Sequence, residues 1–210
     1  MQTQNLTLQR IEGHQRQIKF MNKRFLLGIC LIFGTLSSAL ATPKKVILLR
    51  HAEKIKGGNQ LSLKGFERAA ALPYYFSGTP LYNDPSPTHI FAPGLEEPDS
   101  SVRPIQTCTP IANHYNLTIN IDFKHTETEQ LAQEILNNPK YNNATVLVCW
   151  SHGHIRPIVL ALGGGDPGVW TKDIFDQVYL LTFDNSTKPK LQKILQKLMF
   201  GDRASFEEKP

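Results

Sequence analysis

Apolar runs and stretches of helical period alternate along this chain. In "KKVILLRHAEK" the residues Val46 to Leu49 are all apolar, as in a strand covered on both faces. "LSLKGFERAAALPYYF" follows, with Ser62 as an N-cap and Phe66, Ala69, Ala70 and Leu72 on one helical stripe. "THIFA" (88–92) reads as a short strand. "SSVRPIQTCTPIANHY" reads as a helix that starts near Ser101, tolerates Pro104 in its first turn, and is kinked or cut at Pro110. "LTINID" is a further strand. "TETEQLAQEILNN" is an amphipathic helix capped by Thr126 or Thr128, and "ATVLVCW" is a second wholly apolar strand leading into "IRPIVLALGGG". "VYLLTF" closes the series, and "KLQKILQKLMF" fits a helix or a strand equally well.

Strand and helix in turn, with strands apolar throughout, predict an α/β fold. It would be a three-layer sandwich, with a mostly parallel central sheet flanked by helices. Sites in such sheets form beyond the carboxyl ends of the strands, near a topological switch point. Two of the apolar strands end in histidines: the first in Arg50-His51, the later one in "CWSHGHIRP" with Ser151, His152, Gly153 and His154. Arg103 stands at the start of the helix after "THIFA". Two imidazoles, two guanidiniums and a helix N-terminus on one sheet edge suit a tetrahedral dianion. A neutral imidazole nitrogen is also a competent nucleophile at phosphorus.

The N-terminal 41 residues read differently. "MNKRFLLGICLIFGTLSSALA" has a Lys-Arg start, a short apolar run and an Ala39-Leu40-Ala41 ending, the pattern of a cleaved secretory signal over 21–41. The run falls short of the roughly 20 residues a membrane span needs. Residues 1–20 are polar and unpatterned, an upstream extension that favours Met21 over Met1 as the start; Cys30 lacks lipobox-like surroundings. The expected location is periplasmic or secreted, with no stable membrane insertion after cleavage, and residues 42–210 form one domain.

Charge changes accordingly. Of 23 Lys and Arg and 18 Asp and Glu, residues 1–41 hold five and one, leaving 18 basic against 17 acidic side chains. The excess that nucleic-acid binding requires is absent, so no nucleic-acid partner is expected. Cys108 and Cys149 are the cysteines that remain; two buried thiols and a disulfide both fit their spacing. No CxxC or CxxxH pair points to a structural metal, and His152-Gly153-His154 lacks the carboxylate or cysteine that would complete a metal site. "GGGDPG" is a helix-ending turn and not a phosphate loop. Trp150, Asp166 and Trp170 are candidates for a substrate mouth, and Asn116, Asn143 and Asn185 fit the glycosylation sequon.

"LLRHAEK", "LSLKGFERAA", "SSVRPIQTCTPIA" and "VLVCWSHGHI", in that order, resemble the motifs of the histidine phosphatase superfamily, the phosphoglycerate-mutase-like fold. The likeness covers nearly all of 44–183 and is closer to the small phosphatases of the first branch, since Gly153 follows His152. It implies that His51 accepts the phosphoryl group, that Arg50 and Arg103 clamp its oxygens, and that His152 completes the pocket, with neither metal nor cofactor. The implied partner is a small phosphorylated substrate or a phosphoprotein. The chain departs from the pattern at Ala52, where glycine is usual. The carboxylate that protonates the leaving oxygen is also open: Glu127, Glu53 and the pair Glu96 and Glu97 are the candidates. A phosphohistidine or phosphoprotein phosphatase, a phosphomutase and a non-catalytic binder of a phosphorylated ligand are the alternatives.

Overall fold

The computed structural model describes residues 42–78, 86–97, 100–184 and 188–207. The upstream extension, the signal peptide, Cys30, the choice of Met1 or Met21, and Asn185 lie outside the described residues. In chain order the elements are β1 (Lys45–Arg50), α1 (Leu63–Gly78), β2 (His89–Phe91), α2 (Arg103–Tyr115), β3 (Ile119–Asn120), α3 (Thr128–Asn137), β4 (Thr145–Trp150), α4 (His152–Ala161), β5 (Gln177–Thr182) and β6 (Lys190–Leu195).

The described strands form one sheet in the order β3-β2-β4-β1-β5-β6. β1, β2, β3 and β4 run parallel. β5 and β6 are antiparallel additions on the β1 side. The ambiguous segment "KLQKILQKLMF" therefore begins as an edge strand, exposed at three of its six positions; it is paired as a hairpin with β5, which fixes its conformation where its own pattern does not.

β1 explains the three layers. Its even residues Val46 and Leu48 pack with Leu131 and Ile135 of α3 and Ile155 and Ile158 of α4. Its odd residues Ile47 and Leu49 pack with Leu72, Tyr75 and Phe76 of α1 and Ile111 of α2. The period of two sends alternate side chains to opposite faces, so a strand between two helix layers must be apolar throughout. Cys108 and Cys149 share the second of these cores as free thiols. Burial, then the neighbouring Cys149 thiol, pushes Cys108 up.

Several local expectations are corrected. Phe66 and Ala70 are exposed; the buried side of α1 carries Gly65, Arg68, Ala69, Leu72, Tyr75 and Phe76. Arg68 displaces the stripe because its charge is matched inside the protein by Glu53 and Asp202. α2 is not cut at Pro110 but continues to Tyr115. α3 has Glu127 at its N-cap in place of either threonine, without a side-chain capping bond. Ser62 does serve the start of α1, its Oγ accepting from the Gly65 amide at 3.2 Å. Asn116 and Asn143, two of the sequon asparagines, occupy left-handed turns with φ of 54° and 56°, a conformation asparagine tolerates.

Candidate active site

The sheet register brings the two histidine-bearing exits together. Arg50 is opposite Trp150 in the β1–β4 pairing, and the His51 amide donates to the Trp150 carbonyl at 3.0 Å. His51 and the segment Ser151-His152 thus leave the sheet side by side. α4 starts at His152 with its first-turn amides free of any side-chain cap, the arrangement that receives anions.

His51 is buried, 3% exposed. Its Nδ1 lies 2.7 Å from the Ala52 carbonyl. A carbonyl only accepts, so Nδ1 carries the hydrogen and Nε2 keeps its lone pair. Burial, countered in part by that bond and reinforced by Arg50, Arg103 and His152, pushes the imidazole down to about 3. At neutral pH the ring is an uncharged nucleophile with one available nitrogen.

Arg50 is held on three sides. Its Nη1 donates to the carbonyls of Lys172 and, at 2.8 Å, Ile174, and its Cζ lies 3.8 Å above the Phe175 ring centroid. Its Nε is buried without a partner among the described residues. Burial first, then the Arg103 charge, lowers the guanidinium to about 10, which leaves it a cation at neutral pH. Trp170 Nε1 donates to the same Ile174 carbonyl at 2.9 Å. Asp176 is clamped by Arg203 at 2.7 Å, so the 172–176 segment that anchors Arg50 is itself braced.

Arg103 donates from Nε to Ser101 Oγ at 2.7 Å, and no described residue takes its Nη nitrogens. Thr107, one turn on, accepts from the Ala52 amide at 3.0 Å and donates to the Arg103 carbonyl at 2.8 Å. His152 has a buried Nδ1 with no partner among the described residues; burial, then Arg50 and Lys54, lowers it. Ala52 takes the usual glycine position without strain: its φ is not in the left-handed region, and its methyl packs on Leu61 and Ala69.

The structure therefore brings Arg50, Arg103 and His152 close enough to His51 for each to act on its imidazole. It deals otherwise with the remaining candidates. Glu53 has both oxygens on Arg68, at 2.8 to 3.1 Å, and Lys64 stands 3.9 Å away. Glu127 Oε2 accepts from the Lys124 amide at 2.8 Å. Glu96 pairs with Lys124 at 3.6 Å, and Glu97 is exposed. Asp166 forms a fork with Arg156, at 2.7 and 2.8 Å, on the surface. Trp150 and Trp170 are core residues, 0% and 1% exposed, which removes these two from the substrate mouth. Among the described residues no group of three His, Cys, Asp or Glu is placed to hold a metal ion, and no helix is long and apolar enough to cross a membrane.

Three contributors escaped the sequence. Thr107 and Phe175 carry no local signal. His125 precedes α3 and meets Ser151, 26 residues away, at 2.7 Å; only the fold joins them.

No protein-family model matches the chain, and no curated protein matches it. Solved structures do. A mycobacterial glucosyl-3-phosphoglycerate phosphatase is 11% identical, with a TM-score of 0.51 over 72% of this chain and 97% of that one. The protein histidine phosphatase SixA, complexed with tungstate, is 14% identical with a TM-score of 0.47, over 72% and 97%. A phosphoglycerate mutase from Plasmodium falciparum is 14% identical with a TM-score of 0.47, over 80% and 98%. At such identities the likeness is one of fold, and the mixed sheet with paired helices on each face agrees with it. The chain has the phosphoglycerate-mutase-like fold found in the histidine phosphatase superfamily.

Proposed function

We propose that this chain is a metal-independent phosphomonoesterase that works through a phosphohistidine on His51. The observation that carries the reading is the Nδ1–H bond to the Ala52 carbonyl, which leaves a buried, neutral Nε2 at a site flanked by two arginines. Nε2 attacks phosphorus, the P–O bond to the leaving group breaks, and water then cleaves the P–N bond to release inorganic phosphate. Arg50, Arg103 and the unpartnered nitrogen of His152 supply the charge and hydrogen bonds for the transferring group. Phosphoryl transfer asks for little more than such positioning and charge stabilisation. The substrate is a small phosphate monoester or a phosphorylated protein. Export, inferred from the pattern over residues 21–41, would place the activity in a periplasm or outside the cell.

Hydrolysis of an aryl phosphate by residues 42–210, with and without EDTA and beside His51→Ala, tests the reading. EDTA-resistant turnover that His51→Ala abolishes is expected, with an acid-labile phosphoryl adduct on the wild-type protein. Turnover that survives His51→Ala would sink it; phosphate binding without turnover would make the chain a sensor of phosphorylated ligands.

A further inference from the structure

The site has a nucleophile and clamps, yet Glu53 is bound to Arg68 and Glu127 to the Lys124 amide. Beside His152 stands a different apparatus. His125 Nε2 is 2.7 Å from Ser151 Oγ, and the same oxygen is 3.0 Å from His154 Nδ1. The two rings approach to 4.0 Å between centroids. His125 is fixed from the other side as well. Its ring is parallel to the Trp150 indole at 6.3 Å, and the indole N–H donates to its carbonyl at 2.8 Å. Ser151 is the N-cap residue of α4, but its hydroxyl makes no capping bond. It is given wholly to the two imidazoles.

We propose that His125, Ser151 and His154 form a proton wire and that His125 is the general acid and base of the phosphatase. The assignment rests on the phosphomonoesterase reading above.

The hydroxyl has one hydrogen to donate and accepts another, so the chain of bonds has two arrangements. In the first, His154 Nδ1–H donates to Ser151 Oγ, whose O–H donates to His125 Nε2, and His125 Nδ1 carries a hydrogen. In the second, every hydrogen has moved one place. When His51 Nε2 takes the phosphoryl group, the departing oxygen takes the Nδ1 proton of His125. Ser151 re-protonates His125 Nε2, His154 Nδ1 re-protonates Ser151, and His154 Nε2 takes a proton from solvent. Water attack on the phosphohistidine runs the same shift backwards, with His125 Nδ1 accepting the water proton and His154 Nε2 releasing one. One proton enters and one leaves per turnover, and neither imidazole is charged at the end of either step.

The surroundings suit neutral rings that exchange a proton. Burial leads in lowering both imidazoles; for His125, His154 and Arg103 also lower it and Glu96 opposes them. Lys124 partly offsets Glu96 at 3.6 Å. No described residue is bonded to His125 Nδ1 or His154 Nε2, the two ends the wire needs open.

Leaving-group dependence separates this role from a structural one. Phenyl phosphate, whose departing oxygen needs a proton, and 2,4-dinitrophenyl phosphate, whose oxygen does not, are compared in wild type, His125→Gln, Ser151→Ala and His154→Gln. Loss of a general acid costs about 10²–10⁴-fold; kcat/KM for the phenyl ester should fall by that order in His125→Gln while the dinitrophenyl ester changes little. Ser151→Ala keeps both imidazoles and the α4 start, so it should show the same selective loss on a smaller scale. It decides the matter if His125→Gln does not fold. Equal losses on both esters, or no loss in the folded variants, overturn the wire but leave the His51 chemistry standing. Wild-type protein that hydrolyses neither ester overturns both.

Discussion

Thr107 Oγ1 accepts the Ala52 amide at 3.0 Å while donating to the Arg103 carbonyl at 2.8 Å. One hydroxyl thereby ties the backbone beside His51 to the first turn of α2, which begins at Arg103. Thr107 is 1% exposed, so water cannot replace it. Thr107→Val keeps the shape and strands the Ala52 amide, at a cost of about 1–3 kcal/mol. The expected result is a lower unfolding midpoint together with lower kcat/KM on an aryl phosphate, and recovery of both in Thr107→Ser. If Thr107→Val keeps wild-type turnover, the tie does not set the site's geometry.

His51 links the site to stability. Its imidazole lies near 3 in the folded protein because burial penalises the cation, against about 6.5 in an unfolded chain. Above 6.5 both states hold it neutral and pH has no effect through this group. As pH falls from 6.5 towards 3 the unfolded chain binds a proton that the folded one refuses, so stability falls by up to roughly 1.4 kcal/mol per pH unit. Urea midpoints measured from pH 8 to pH 4 should decline below 6.5, less steeply in His51→Asn. His125, His152 and His154 are also lowered by burial and will keep part of the slope in that variant. Identical slopes in the two proteins would show that His51 is not protected from protonation.

The carboxylates divide by what they touch. Arg68, 2% exposed, binds Glu53 and Asp202 through its Nη2 at 2.8 and 2.6 Å. It joins the segment after His51 to the C-terminal region. Removing one partner of a buried charge pair costs about 3–5 kcal/mol, so Arg68→Ala should lower the urea midpoint severely. Glu53→Gln and Glu127→Gln should leave the phenyl to dinitrophenyl phosphate rate ratio as in wild type. A selective loss on the phenyl ester in either variant would identify that carboxylate as the proton donor.

What was legible in the sequence follows from distance along the chain. Val46 to Leu49 declare a doubly covered strand, and Arg50 and His51 sit directly at its end. The same holds for β4 and His152, and the β1–β4 pairing sets these two exits side by side as local pattern plus the sheet rule predicts. The failures are long-range. Arg68 reads as polar until Asp202 arrives 134 residues later. The edge strand β6 is defined by its pairing with β5. His125 and Ser151 meet because the loop before α3 folds over the end of β4, and periodicity has no means of reporting that.

Arg50 and Arg103, the proposed clamps of the phosphate, are held with different stiffness. Arg50 is fixed by the Lys172 and Ile174 carbonyls, by stacking on Phe175, and indirectly by Trp170 on the same Ile174 carbonyl. Arg103 has one side-chain partner, Ser101. Lysine keeps the charge but has neither the planar fork nor the stacking face. If charge alone served the transferring phosphoryl group, Arg50→Lys and Arg103→Lys would lose equally little. Because Arg50 gets its position from a planar group stacked on Phe175 as it donates to two carbonyls, Arg50→Lys should lose about 10²–10³-fold in kcat/KM, the scale of one displaced stabiliser. Arg103→Lys should lose less. Steady-state rates of both variants on an aryl phosphate, with unfolding midpoints as control, measure the difference. Equal losses would mean that the braced 172–176 segment serves the fold and not the phosphate.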